Sequence, residues 1–441
     1  MRNFTFKGLF LAAMFMVLGS LAIQAADNDG LITKQIIVKL EKAGTLPDRI
    51  GSTKRNKITN LKIIGEINGT DWRVIREMAG RSYYNDGTDG KLAILDLSEA
   101  KIVSGGGSYL YNDSYTNDNE LGSCAFLNCS GLTSLSLPSS LTSIEREAFA
   151  GCSGLTSLSL PSSLTSIKYR AFYGCSGLTS LSLPSSLTSI EYYAFYGCSG
   201  LTSLSLPSGI TSIDWNAFYG CSGLTSLSLP SSLTSIEYYA FYGCSGLTSL
   251  SLPSGITSID WNAFSGCSGL TSLTLPSSLT SIDSGAFSGC SGLTSLTLPS
   301  SLTSIDSGAF SGCSGLTSLS LPSGLTSIGD GAFRGCSGLT SIYVYTEKLP
   351  NMGSDVFDGC DAKKCTVYVP KGTYDDYWLS EFGYFENIVE FDPTGINNVI
   401  TSNDAKELSR YSVNGQRLSA PTKGLNIVKY SDGSVKKVAV Q

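Results

Sequence analysis

A 23-residue period constrains this chain more than any other feature. Residues 132–338 divide into nine units without an insertion, opening at Leu132, Leu155, Leu178, Leu201, Leu224, Leu247, Leu270, Leu293 and Leu316. The first reads LTSLSLPSSLTSIEREAFAGCSG, from Leu132 to Gly154. In Leu135-Ser136-Leu137 the leucines point inward and the serine outward, so each unit opens with a short strand. Pro138 ends it, because proline has no N–H with which to extend a ladder. Leu141-Thr142-Ser143-Ile144 is a second extended piece on the opposite side. Ala148, Phe149 and Cys152 then turn inward, and Gly151 and Gly154 let the chain bend back. One such coil buries too little to offset the entropy of ordering it. Stacking coils at about 4.8 Å supplies the missing burial and the parallel hydrogen bonds.

A period of about 20–29 residues with L-x-x-L-x-L spacing is the leucine-rich-repeat pattern. The whole frame, L-x-x-L-x-L-P-x-x-L-x-x-I-x-x-x-A-F-x-x-C-x-x, resembles the BspA-like leucine-rich repeat family of the 23-residue type, from about Leu92 to Phe391. The expected fold is a β-rich leucine-rich-repeat solenoid. It is a right-handed curved coil stack with a parallel β-sheet on one face, terminal caps and a small C-terminal β module. The resemblance implies display on a bacterial surface and adhesion to host cells or to matrix proteins of the fibronectin and fibrinogen class.

Composition narrows the chemistry. The chain of 441 residues is 41% hydrophobic and only 15% charged, which excludes a disordered acidic chain. It contains no histidine, which removes Ser-His-Asp and Cys-His catalysis and every His-containing zinc site. Lys and Arg are few and the net charge is −6, against a nucleic-acid partner. The expectation is a binding protein and not an enzyme, without cofactor or metal. At the amino terminus Arg2 and Lys7 precede an apolar run from Leu9 to Ile23, with Ala25 at the cut. Residues 1–25 therefore read as a signal peptide. No later run is long enough to be a transmembrane segment, so the chain reads as exported, at the surface or outside the cell.

Four segments follow. After residues 1–25, residues 26–91 form an N-terminal cap region. Leu61-Lys62-Ile63 is read there as a strand, and Asp71 as the N-cap of a helix carrying Trp72, Ile75 and Ala79 and stopped by Gly80. Residues 92–391 are the solenoid, regular over 132–338. It begins with a degenerate strand, Leu92 to Leu97, and is interrupted by a polar, Gly-rich insertion from Ser104 to Glu120. It closes with a strand at Val367-Tyr368-Val369-Pro370 and a helix from Thr373 to Ser380. Residues 392–441 are a β tail with strands at Leu408–Val413, Leu425–Val428 and Val435–Val440 and turns at Asn414-Gly415 and Asp432-Gly433. The tail resembles the carboxy-terminal sorting domains of proteins exported by Gram-negative anaerobes, which implies an address. A small β tail with no such role is the alternative.

Three columns are candidate sites. Ten cysteines recur with the period, from Cys129 and Cys152 to Cys336, and read as a buried thiol ladder in preference to bridges or metal ligands. Cys124 with Cys129, and Cys360 with Cys365, are C-x4-C pairs placed to form cap disulfides in an exported chain. Unpaired thiols are the competing reading. The outward serines, Ser134, Ser136 and their equivalents, make a flat uncharged face that is either a docking strip or merely solvated.

The informative column is the triplet before Ala-Phe. It reads Glu145-Arg146-Glu147, Lys168-Tyr169-Arg170, Glu191-Tyr192-Tyr193, Asp214-Trp215-Asn216, Glu237-Tyr238-Tyr239, Asp260-Trp261-Asn262 and then Asp283-Ser284-Gly285. With Tyr173, Tyr196, Tyr219 and Tyr242 just after the phenylalanines, it makes an aromatic band over residues 155–269. The expected ligand-binding residues are Tyr169, Tyr192, Trp215, Tyr238 and Trp261, with Tyr173, Tyr196, Tyr219 and Tyr242. Aromatic rings supply large, stiff contact area with a polar tip. Rings that merely stack and stiffen the convex side are the alternative. The acidic row Glu191, Asp214, Glu237, Asp260, Asp283 and Asp306 could attract calcium, although a screened row of like charges is usually just solvated. The rival function is a glycan-binding or glycan-processing surface protein. Carboxylate catalysis needs two acids facing across a pocket, and the repeats offer one per coil in a single file.

Overall fold

The computed structural model describes residues 30–111, 113–392, 407–412, 417–421, 423–430 and 435–440. The expected signal peptide and the turns at Asn414-Gly415 and Asp432-Gly433 lie outside them. Over the solenoid the strands are parallel and in register at the sequence period. Ser134, Leu135 and Ser136 lie opposite Ser157, Leu158 and Ser159, which lie opposite Ser180, Leu181 and Ser182. The second piece of each coil forms its own narrow ladder, with Ser143 and Ile144 against Ser166 and Ile167. The molecule is a leucine-rich-repeat β-solenoid.

Its core is a set of columns. Each repeat's isoleucine, Ala, Phe and Cys and most of its leucines are almost entirely buried, while most strand serines stay exposed. The phenylalanine rings from Phe126 to Phe357 stack one per coil at 5.0–5.9 Å and within 17° of parallel. Their backbones run in the same ladder: Phe149 N–H donates to Ala171 O at 2.7 Å, Phe172 N–H to Ala194 O at 2.8 Å. Gly151 bends the chain with φ +73°. Gly154 has another role than the bend expected of it. A Cβ there would lie 2.1 Å from Ser130 O of the preceding coil, so glycine permits a close backbone approach.

The amino-terminal cap is larger than its sequence suggests. Strands Ile36–Leu40 and Asn60–Ile67 extend the main sheet in parallel beyond Ile94–Ile102, and the outermost one gave no signal in the sequence reading. The cap helix is Gly69–Met78, and Asn68 rather than Asp71 is its N-cap. Asn68 Oδ1 accepts from Thr70 N–H at 3.0 Å. Asp71 sits one turn in and accepts from Asn68, Gly44 and Leu46 N–H at 2.9, 2.6 and 2.8 Å. It is buried because it ties three segments together. Trp72 and Arg76 cover the open end of the stack. Trp72 Nε1 donates to Ala125 O at 3.0 Å, and Arg76 Nη1 to Cys124 O and Ala125 O at 2.6 and 3.1 Å. They stand where a preceding coil's phenylalanine N–H would donate. Burial lowers the Arg76 guanidinium from its ordinary value.

The expected insertion is a hairpin, Gly105–Leu110 with Ser114–Thr116, returning to the helix. At the far end strands Thr366–Pro370 and Asn387–Phe391 finish the sheet. A helix, Tyr374–Trp378, shorter than expected, and a 3-10 turn, Glu381–Tyr384, bring Phe382 and Phe385 against Phe357, each at 5.1 Å. The carboxy-terminal tail is a four-stranded antiparallel sheet of Glu407–Ser412, Arg417–Leu418, Gly424–Tyr430 and Val435–Val440. The short strand at Arg417 was not foreseen.

Candidate binding face

The triplet before Ala-Phe divides into three positions with different duties. In the coils of Tyr169, Tyr192 and Tyr238 the first residue's N–H bonds to the isoleucine carbonyl of the preceding coil, as Glu191 does to Ile167 and Glu237 to Ile213, both at 2.9 Å. The third residue is left-handed, with φ +53° at Arg170, +60° at Tyr193, +54° at Asn216, +57° at Tyr239 and +54° at Asn262. Its N–H donates to the second residue's carbonyl one coil on, Tyr193 to Trp215 at 3.0 Å and Tyr239 to Trp261 at 3.1 Å. With the left-handed third residue held in each of these coils, the second side chain is thrown outward. In the later units Gly285, Gly308 and Gly331 occupy the left-handed position. The change from Tyr or Asn to Gly there is therefore partly a backbone matter.

The nine expected ring residues separate into two rows. In the outer row Tyr192, Trp215, Tyr238 and Trp261 are 41%, 49%, 42% and 48% exposed, and Tyr169 is half-buried. Their mutual contacts are irregular and never face to face: Tyr169 and Tyr192 are close but tilted at 4.5 Å, and Trp215 and Tyr238 are tilted at 6.4 Å. The second row, Tyr173, Tyr196, Tyr219 and Tyr242, is half-buried and stacked face to face at 4.8, 4.6 and 4.7 Å. Stacking covers the ring faces, so this row presents edges and hydroxyls outward. The outer row is thus exposed and the second row is stacked coil on coil. Tyr193 and Tyr239 fill the space between the rows, 5.6 Å from Tyr196 and Tyr242 respectively.

Charge is distributed unevenly along the band. At its amino-terminal end Arg170 lies over the rings of Tyr169, Tyr173 and Tyr193 at 4.9, 5.2 and 5.3 Å and 3.8 Å from Glu147. Arg146 lies over Tyr169 at 5.5 Å, and Lys168 pairs with Glu191 at 3.1 Å. Farther on the acids face one another. Burial, then Glu237 and Asp283, push the Asp260 carboxyl up to about 6, and Asp214 and Asp283 are also raised. Among the described residues no three acid or cysteine side chains converge as a metal site, so the geometry gives the calcium reading no support.

All thirteen cysteines are buried, and none is joined in a disulfide. In the ladder each thiol reaches the phenylalanine carbonyl of the preceding coil, from Cys152 to Phe126 O at 3.0 Å through Cys336 to Phe310 O at 3.3 Å. Burial raises these thiols strongly, Cys175, Cys221 and Cys267 to about 12, so they are inert side chains of the core. Of the two readings of the cap pairs, bridged or unpaired, the structure has no bridge at either. Cys124 Sγ is directed to Glu147 Oε2 at 3.6 Å while Cys129 Sγ lies near Leu127 O at 3.9 Å. Cys360 continues the ladder to Phe333 O at 3.5 Å, and Cys365 Sγ lies near Thr366 O at 4.0 Å.

A second aromatic patch went unnoticed in the sequence. Tyr343 and Tyr368 follow Ser320 in the outward strand column, and their rings stack at 4.6 Å with Phe391 edge-on. The alternation of Tyr343-Val344-Tyr345 was the available signal. In the second ladder a groove of about 390 Å³ opens beside Asp283, Asp306 and Asp330, and Gly329 and Gly353 on its lining pack closely against the backbone of the preceding coil.

The coil stack, its thiol and phenylalanine ladders and its helical cap define a leucine-rich-repeat protein. The family model for the BspA type leucine rich repeat region (6 copies) matches residues 119–248 and 234–364, and the chain belongs to that family. Among solved structures the chain is similar to a leucine-rich repeat protein from Bacteroides ovatus, with 26% identity over 64% of this chain and 90% of the other and a TM-score of 0.37. A leucine rich cell surface protein from Faecalibacterium prausnitzii is 26% identical over 66% and 86%, with a TM-score of 0.37. The T. pallidum leucine rich repeat protein is 34% identical over 36% and 77%, with a TM-score of 0.35. No curated protein matches. No helix among the described residues is long and apolar enough to cross a membrane.

Proposed function

We propose that this protein is exported and acts at the surface of a Gram-negative bacterium as a non-catalytic adhesin, binding host matrix or cell-surface protein through the outer aromatic row. The observation that carries the reading is that Tyr192, Trp215, Tyr238 and Trp261 are held outward by a backbone that does not need them. Rigid aromatic rings half out of water are what protein interfaces use as anchors. Proteins of the fibronectin and fibrinogen class are the first partners to test. The tail over 392–441 is the segment we assign to sorting.

The test compares two variants of the chain on immobilised matrix proteins and a glycan array. Changing Tyr192, Trp215, Tyr238 and Trp261 to Ala is expected to weaken binding roughly thirtyfold, the equivalent of about 2 kcal/mol, with folding nearly unchanged. Changing the strand serines Ser180, Ser203, Ser226 and Ser249 of the same coils is expected to leave binding intact. The reverse outcome moves the site to the strand face. Binding to glycans alone, or turnover of a polysaccharide, replaces the adhesin reading with the glycan one.

A further inference from the structure

Between Arg170 and Arg334 the chain has no lysine or arginine, and its only charged residues are Glu191, Asp214, Glu237, Asp260, Asp283, Asp306 and Asp330. Six of the seven occupy the first position of the triplet, and four of these, Glu191, Asp214, Glu237 and Asp260, immediately precede an outer ring. Over this stretch the band is a run of exposed aromatic rings bordered by carboxylates, and none of Asp214, Glu237, Asp260 or Asp283 has a cation within ion-pair distance among the described residues. The preceding coil shows what such a surface accepts. There the protein's own Lys168-Tyr169-Arg170 places a guanidinium over three tyrosine rings and near Glu147, and an ammonium 3.1 Å from Glu191. One coil satisfies its rings and acids internally; the next coils offer the same groups outward with no cation supplied.

We propose that the outer row from Tyr192 to Trp261 docks a cationic polypeptide segment, with arginine or lysine side chains laid on the rings and beside the carboxylates. This rests on the reading of the band as a protein-binding site and specifies the partner's chemistry. A guanidinium suits both halves of the surface, because its plane stacks on a ring while its edge donates to a carboxylate. An ammonium gains the ion pair but stacks less well, so arginine is preferred. The plain coils after residue 270 keep the acids Asp283 and Asp306 but not the rings, and contribute only long-range attraction that salt screens.

The experiment titrates the full chain against a fluorescently labelled peptide of alternating Arg and Ser, with Lys-Ser and Glu-Ser peptides of equal length as comparisons. The Arg peptide is expected to bind, more tightly than the Lys peptide and ever more weakly as salt rises, while the Glu peptide does not bind. Two variants then locate the contact. Trp215→Ala with Trp261→Ala removes rings. Asp214→Lys and Asn216→Arg together with Asp260→Lys and Asn262→Arg recreate the Lys-x-Arg triplet of the preceding coil and fill the row with the protein's own cations. Arg170 already occupies the left-handed position at φ +53°, so the arginines are tolerated there. Each variant is expected to lose at least tenfold in affinity with an unchanged melting temperature. Equal binding of the Arg peptide by both variants, or equal binding of the Glu peptide, overturns the proposal. If the four-alanine variant loses a matrix protein that the unaltered chain binds, and the Arg peptide never binds, the band is a protein site for an uncharged partner. The docking reading then stands and this inference falls.

Discussion

The coils over 155–269 and those over 270–338 share one frame and differ in what they display. Buried positions, the thiol ladder and the phenylalanine stack run through both without a break. The outward triplet and the position after phenylalanine change most, from Tyr, Trp and Asn to Ser and Gly, beside a minor change of outward strand serine to Thr274 and Thr297. The difference teaches that the fold is written in the inward columns and that the outward ones vary without disturbing it. Near-identity of residues 178–223 and 224–269, which differ only at Tyr219 and Ser265, points to recent duplication of the aromatic coils as a unit.

The sharpest way to break that comparison is to strike the same inward column in both regions. Phe218→Ala and Phe287→Ala each delete a fully buried ring stacked on both sides. Each is expected to cost roughly 3–5 kcal/mol in urea denaturation. The two losses should agree within about 1 kcal/mol, the spread such sites ordinarily show. A much smaller loss at Phe287 would mean that the outer rings share in holding the frame.

Next in size is the cap. Arg76→Met keeps the helix but removes the donors to Cys124 O and Ala125 O. Carbonyls left unpaired at the end of the stack are expected to cost roughly 2–3 kcal/mol. The loss should appear as early amide exchange in the first coils, with the aromatic and plain regions affected in order of distance. Uniform exchange along the solenoid would show the stack unfolding as one body instead of from its end.

These two regions also show what could be read in advance. The period, the inward leucines, Phe and Cys, and both rows of the band were legible because every coil repeats the same test of inside against outside. The caps were only partly legible. Ile36–Leu40 has no repeat to align with, and Asp71 looks like an N-cap when the donors it serves at Gly44 and Leu46 come from distant sequence. The division of the band into exposed and stacked rows was invisible as well. It depends on a left-handed residue that tyrosine, asparagine, arginine and glycine all occupy, so no single residue type marks it.

That left-handed position separates backbone from display at smaller scale. Gly308 has φ +62°, and a would-be Cβ meets only Ser311 Cβ in ordinary contact at 3.8 Å, so Gly308→Ala is expected to cost about 1–2 kcal/mol, the left-handed penalty alone. Tyr239→Gly removes the same penalty but also the ring that lies 5.6 Å from Tyr242 and 5.3 Å from Trp261. Its net effect on melting temperature should be close to zero. A large loss at Tyr239 would show the middle rings to be structural, not merely filling.

The smallest effect is electrostatic and confined to the aromatic region. Asp260 is held up to about 6 by burial and by Glu237 and Asp283, against an ordinary 3.8. The unfolded chain therefore releases this proton near pH 4, while the folded chain keeps it until about pH 6. Between those values the folded state binds more protons, so this group's contribution makes stability fall as pH rises, with the full cost present above pH 6. Asp260→Asn removes the charge and is expected to raise the melting temperature at pH 8 by a degree or two, scaled to a side chain that is partly in water. At pH 4 the effect should shrink toward nothing, because the aspartate is itself mostly neutral there. High salt should shrink the gain at pH 8 too, since it screens the neighbouring acids. Asp306, for which no such neighbour lies farther along the row because Gly329 follows it, serves as the control from the plain region. A gain for Asp306→Asn equal to that for Asp260→Asn would show that crowding of the acids is not what distinguishes the two regions.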